Sequence, residues 1–160
     1  MRLAALLTLW VISLAACEQA VDKTQPIQFS HKLHTEKGLP CTMCHQSVET
    51  ATFASLPRID DCMTCHQGAI TESPEEEKIR QYAAKGMEIP WQRVYQVPGH
   101  VYFSHRRHVT LGGLDCAACH GDVKGSSVPV TRPAVVLDMK ACMDCHQKRQ
   151  ASNDCDDCHR

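Results

Sequence analysis

Apolar residues form one dense run near the start of the chain and then thin out. Leu3 to Ala16 is apolar except for Thr8 and Ser13. Beyond it, no stretch sustains period-2 alternation or a long 3.6-residue stripe, so neither a sheet nor a long helical bundle is predicted. One segment carries a full set of helix signals. Ser73 reads as N-cap, Pro74 as the first helical position and Glu76 as a capping-box residue. Ile79, Tyr82 and Ala83 then form an apolar stripe, and Gly86 follows as the C-terminal cap. Ile89 to Pro98 reads as an extended linker. Val128 to Leu137, with Pro129 and Pro133, reads as loop or a short edge strand. The expected class is mainly α with much irregular loop.

The leading run is shorter than the ~20 apolar residues of a membrane span. With Met1 and Arg2 ahead of it, residues 1–16 have the form of a signal peptide. The run ends Leu14-Ala15-Ala16-Cys17, which resembles the lipobox of bacterial lipoproteins. Cys17 then becomes a lipidated N-terminus, and residues 17–28 a linker to that anchor. The alternatives are a plain secretory signal with Cys17 incidental, or an uncleaved anchor. In each case the chain is exported and works on the periplasmic side of a bacterial membrane.

Lys plus Arg number 17 and Asp plus Glu 18. That balance gives no electrostatic case for nucleic acid. Aromatics are 5% of the chain, thin for a protein core. The same chain holds 11 Cys and 10 His. Ten of the cysteines form five pentapeptides: Cys41-Thr42-Met43-Cys44-His45, Cys62-Met63-Thr64-Cys65-His66, Cys116-Ala117-Ala118-Cys119-His120, Cys142-Met143-Asp144-Cys145-His146 and Cys155-Asp156-Asp157-Cys158-His159. Cys-x-x-Cys-His is the attachment signature of c-type haem. Two thiols at this spacing form thioethers to the two vinyl groups of one porphyrin, and the next residue supplies the proximal nitrogen to iron. Zinc sites also use Cys-x-x-Cys but have no need of His after every second Cys. A disulfide scaffold has no reason to repeat the His either. Five covalently bound haem c groups are expected, with His45, His66, His120, His146 and His159 as proximal ligands.

The remaining histidines are His31, His34, His100, His105 and His108, one for each further axial position. Four occur in two copies of one motif, Phe29-Ser30-His31-Lys32-Leu33-His34 and Phe103-Ser104-His105-Arg106-Arg107-His108. An i, i+3 pair on one helical turn places both rings on a similar face, so one short helix can serve two haems. His100 follows Pro98 and Gly99 outside any pair, and Met139 is its rival as the fifth distal ligand.

The motifs define a repeat. Residues 29–72 form a first dihaem module and 99–147 a second, each closing on Cys-Met-x-Cys-His-Gln. Residues 73–98 hold the helix and linker, and 148–160 form a fifth haem-binding tail. Porphyrin faces are expected to form the core in place of Phe and Leu. The chain without haem is therefore expected not to fold. The apolar stripe of residues 79–83 is expected to pack on a haem edge or the other module. Propionates are expected to make the loaded protein more acidic than its sequence pI of 6.8.

The double Phe-Ser-His-x-x-His layout resembles the class III multihaem cytochromes c. It is most similar to the pentahaem subunit of bacterial alternative complex III, a quinol-oxidising assembly related to molybdopterin oxidoreductases. The similarity runs through residues 29–34, 62–66, Pro90-Trp91-Gln92-Arg93-Val94, 101–105 and the closing Asp154 to Arg160. It implies a small multihaem cytochrome c fold and transfer of electrons along a haem chain to a periplasmic acceptor. It also implies that the first His of each pair serves the nearest downstream haem and the second crosses to another. Redox partners would be iron–sulfur or molybdopterin-like subunits and a downstream cytochrome. The chain departs from the family in its minimal 147–154 segment, and in ending its apolar run at Cys17 instead of extending it into a membrane span. The expected role is an electron-transfer subunit without catalysis of its own. The alternatives are a freestanding carrier lipoprotein, a multihaem reductase with one open iron, and a conductor to surface minerals.

Overall fold

The computed structural model describes residues 22–159. The signal-peptide run, its cleavage point and Cys17 lie outside the described residues. The helices are short: α1 His31–Glu36, α2 Cys41–Cys44, α3 Ile59–Met63, α4 Pro74–Ala84, α5 Ala117–His120, α6 Met139–Lys148 and α7 Cys155–Cys158. A π-helical turn, Arg107–Leu111, precedes α5, and a 3-10 turn, Val123–Gly125, follows it. The rest is irregular. The strand-like pairing among the described residues is one antiparallel bridge between Val101 and His159. The fold is thus mainly α with much loop, as the apolar pattern indicates.

α4 forms where its signals place it. Ser73 Oγ accepts from Glu75 N at 3.3 Å, Pro74 opens the helix, and Gly86 beyond the Lys85 cap has φ +63°. Glu75, Glu76 and Glu77 crowd the first turn, where carboxylates suit the helix dipole. One detail differs. Glu76 does not close a capping box on Ser73, whose N–H donates to Thr71 Oγ1 instead. The carboxylate reaches further back and accepts from Ile70 N at 2.7 Å, Thr71 N at 3.0 Å and Thr71 Oγ1 at 2.6 Å.

The stripe of α4 packs within the first half of the chain. Ile79 joins Ile27, Ile59 and Ile89 in one buried cluster, with Phe29, Cys62, Met63, Tyr82, Ala83 and Trp91 packed against it. α4 therefore lies on α3 and on the extended segment after residue 88. Trp91 Nε1 donates to Pro57 O at 3.3 Å and closes that side. Val48 is the other buried apolar residue, and none of the described buried residues belongs to the second module. Leu111, Val128, Val136 and Met139 there are each more than half exposed.

The two modules grip each other reciprocally. Lys32 N and Thr35 Oγ1 of α1 donate to Ser126 O and Lys124 O, just past α5. In return His105 N and Arg106 N donate to Thr52 O and Ala51 O, and Thr110 Oγ1 donates to Glu49 O, in the loop past α2. Each His-pair motif thus docks on the loop that follows the first haem motif of the other module. The tail closes on the start of the second module, where Tyr102 N donates to Cys158 O at 2.8 Å.

The small aliphatic cluster makes a direct prediction. Ile27→Ala, at a side chain 2% exposed, should lower the stability of the loaded protein by about 2–5 kcal/mol. Val136→Ala, at 74% exposure, should change it by no more than about 0.5 kcal/mol. Denaturant unfolding followed by circular dichroism checks both.

Candidate haem sites

The repeated Phe-Ser-His-x-x-His motif is a device for locking rings. In the first copy Ser30 Oγ caps α1 by accepting from Leu33 N at 3.2 Å, and its carbonyl accepts from His34 Nδ1 at 2.9 Å. Phe29 stacks on His34 at 4.5 Å and 26°, and meets His31 edge-on at 4.9 Å and 88°. The second copy repeats this. Ser104 Oγ accepts from Arg107 N at 3.4 Å, and Ser104 O accepts from His108 Nδ1 at 2.8 Å. Phe103 stacks on His108 at 4.7 Å and 24°, and meets His105 edge-on at 4.9 Å and 88°. The i, i+3 spacing flagged the histidines. It gave no sign that the Ser carbonyl and the Phe face would orient them.

Three further imidazoles are held in the same way. His45 Nδ1 donates to Ser55 O at 2.8 Å, His105 Nδ1 to Thr52 O at 2.9 Å and His146 Nδ1 to Ser152 O at 2.7 Å. Ser55 takes the left-handed conformation at φ +64° to present that carbonyl, a strained backbone of the kind that collects at functional sites. A carbonyl can only accept, so each of these rings carries its proton on Nδ1. In the neutral imidazole this leaves the lone pair on Nε2, the tautomer that a metal-ligating imidazole requires.

The rings meet in twos. His34 and His66 have centroids 6.2 Å apart, His105 and His120 6.3 Å, His108 and His146 6.1 Å, and His100 and His159 5.6 Å. His31 faces His45. Burial pushes the His31 pKa down to about 4, with the charge of His45 adding to it. His120 is likewise lowered by burial and then by His105. An iron between two imidazole nitrogens, at about 2 Å from each, sets ring centres roughly 6 Å apart. The spacings fit a bis-imidazole iron in a porphyrin plane. Among the described residues no three His, Cys, Asp or Glu side chains converge as a metal cluster.

Each pair joins one proximal and one distal candidate. His31 and His34 reach the first and second motifs, and His105 and His108 the third and fourth. His100 lies on His159 of the fifth, at an interplanar angle of 17°. Met139, its sequence-level rival, is 65% exposed. Cys41, Cys65, Cys116, Cys142, Cys145 and Cys155 are exposed, and Cys44, Cys62, Cys119 and Cys158 half-buried, with none in a disulfide. Thiols of different motifs approach one another. Burial pushes Cys62 up to about 11, with Cys44 the next cause. Cys116 is raised by burial and by the charge of Cys41, to which it also hydrogen-bonds. Cys119 is raised by burial and by Cys145, and Cys142 by burial and then by Cys119 and Cys158.

Residues 11–88 match the family described as the class III cytochrome c family, and residues 101–160 match cytochrome c7 and related cytochrome c. A curated protein of Nitratidesulfovibrio vulgaris, the multihaem cytochrome c subunit of menaquinone reductase, is 32% identical over 165 residues, spanning 87% of this chain and 78% of its own length. This chain is a multihaem cytochrome c. Such a cytochrome binds haem c covalently, and its role is electron transfer without a catalytic site of its own. Zinc and disulfide readings of the cysteine pairs end here. No helix of the described residues is long and apolar enough to cross a membrane.

Residues outside the cytochrome's motifs also shape its sites. Tyr95 meets His120 edge-on at 4.5 Å, and its hydroxyl accepts from Ala134 N at 2.8 Å and Val135 N at 3.3 Å. Tyr95→Phe keeps the ring and removes the acceptor. It should cost about 1 kcal/mol of stability and alter the low-spin electron paramagnetic resonance signal of one haem. Spectra indistinguishable from wild type would show that the Tyr95 hydroxyl does not order this site.

Proposed function

We propose that this protein is a pentahaem electron conductor on the periplasmic face of a bacterial membrane, serving a quinone-linked oxidoreductase complex. The observation that carries the reading is the pairing of eight of the ten histidines. The imidazoles His66, His120, His146 and His159, each following a Cys-x-x-Cys, have one of the spare histidines as partner ring, and the remaining two, His31 and His45, are assigned to each other on the charge of His45 felt at His31. Ten paired cysteines hold the porphyrins. His45, His66, His120, His146 and His159 are the proximal ligands, and His31, His34, His105, His108 and His100 the distal ones. Haem c when bound supplies a one-electron iron couple. Two protein ligands at every iron leave no position for a substrate, which argues against the reductase alternative.

The attachment thiols support an order for the path. Cys62 lies by Cys44, Cys41 by Cys116, Cys119 by Cys145 and Cys142, and Cys142 by Cys158. The order in space is then second, first, third, fourth, fifth motif. The reciprocal docking of the modules agrees, since Thr52 of the loop past the first motif holds His105 of the third site. Electrons enter and leave at the Cys62–His66 and Cys155–His159 ends. The relative's name supplies the quinone link, and iron–sulfur or molybdopterin-like subunits and a downstream cytochrome are the expected partners. Cys17 supplies the lipid anchor.

Intact mass of material from a maturation-competent host should equal the processed polypeptide plus five haems. His34→Met should raise the midpoint potential of one haem, the one on His66, and leave four in place. A uniform shift of all five, or a mass short of five haems, would contradict the assignment.

A further inference from the structure

His66 differs from the proximal His45 and His146 in what faces its Nδ1. Five imidazoles in the molecule donate Nδ1–H to a neutral main-chain carbonyl. His66 Nδ1 is buried and has no hydrogen-bond partner. It faces a carboxylate, with Glu76 Oε2 at 3.8 Å, and the two side chains are 16% and 8% exposed. A charge at that distance, shielded from water, acts more strongly on the ring than the same charge would at the surface.

The carboxylate is fixed. Thr71 Oγ1, Ile70 N and Thr71 N all donate to it, and hydrogen bonds to a carboxylate favour its charged form. One cation shares the site. Arg80 Nη1 lies 3.9 Å from Glu76 Oε2, buried and without a hydrogen bond, while Arg80 Nε and Nη2 are taken up by Glu77 at 3.0 and 2.8 Å. On the opposite side of the site the facing ring is His34. Charge behind the His66 ring is therefore the Glu76 anion, moderated by the Arg80 cation 3.9 Å from that carboxylate, which Glu77 also binds.

A carboxylate behind a metal-ligating imidazole polarises its Nδ1–H bond and makes Nε2 a stronger electron donor. A stronger donor favours the ferric over the ferrous iron, and second-shell bonding is one of the means by which a protein sets haem potential. We infer that Glu76 is a positioning residue for His66 that lowers the potential of the second-motif haem relative to what a carbonyl partner would give. The inference rests on the reading of His66 as a haem ligand. It marks one terminus of the path as different from its interior. The capping-box position that first drew attention to Glu76 is thereby put to another use.

The experiment is a redox titration of the purified loaded protein, followed optically and by electron paramagnetic resonance, for wild type, Glu76→Gln, Glu76→Asp and Arg80→Met. In Glu76→Gln one of five steps should move to higher potential by a tenfold or greater change in its equilibrium, 59 mV for one electron. The low-spin signal of that haem should change with it, and the other four should stay. Glu76→Asp should restore part of the shift. Arg80→Met should move the same step the opposite way, a sign that loss of structure alone would not produce. Five unmoved steps in Glu76→Gln and Arg80→Met, or equal shifts of all haems, would overturn the inference. Intact mass separates the two levels. A wild-type protein lacking the His66 haem would sink the ligand assignment itself, whereas five haems with unmoved steps would sink only the role of Glu76.

Discussion

The structure depends on holding imidazoles in pairs, four of which have ring centroids 5.6 to 6.3 Å apart. Nothing in a short polypeptide favours such an arrangement for its own sake. It is imposed by hydrogen bonds from Nδ1 to main-chain carbonyls at Ser30, Ser55, Thr52, Ser104 and Ser152. Two of these carbonyls accept twice: Ser104 O takes His108 N as well as its ring, and Thr52 O takes His105 N as well as its ring. Ser55 is left-handed where it presents its carbonyl to His45.

The mutual docking of the modules follows from the same constraint. Each His-pair motif needs an outside surface against which to set its rings, and each finds it on the loop past the other module's first motif. The halves are not equal. The aliphatic cluster of Ile27, Ile59, Ile79 and Ile89 belongs to the first module and α4, while the second module leaves Leu111, Val128, Val136 and Met139 exposed on the polypeptide.

What was legible in the residues was whatever is local. Cys-x-x-Cys-His is a covalent template read within five positions, and the i, i+3 histidines share one turn. α4 was legible because Ser73, Pro74 and Gly86 act on adjacent backbone groups. The partner of each ring was not legible in local spacing, and only the family resemblance implied a scheme for the two His pairs, since bringing His108 to His146 or His100 to His159 requires segments far apart in the chain to fold together. His100 had no local signature, and only its stacking on His159 separates it from Met139. Glu76 was read as a capping residue because that pattern lies within three positions. Its approach to His66, ten residues earlier, depends on the turn at Ile70 and Thr71. The roles of Phe29 and Phe103 were hidden for another reason. A Phe before a helix ordinarily signals packing, and here its face stacks on an imidazole.

The central claim is that every iron sits between two of these imidazoles. Low-temperature electron paramagnetic resonance of the fully oxidised protein, with spins counted against haem content, tests it most directly. The account predicts five low-spin ferric centres per chain and no high-spin signal, unchanged on adding a small anionic ligand. A high-spin ferric signal amounting to one centre per chain would show an iron with a missing histidine and contradict it.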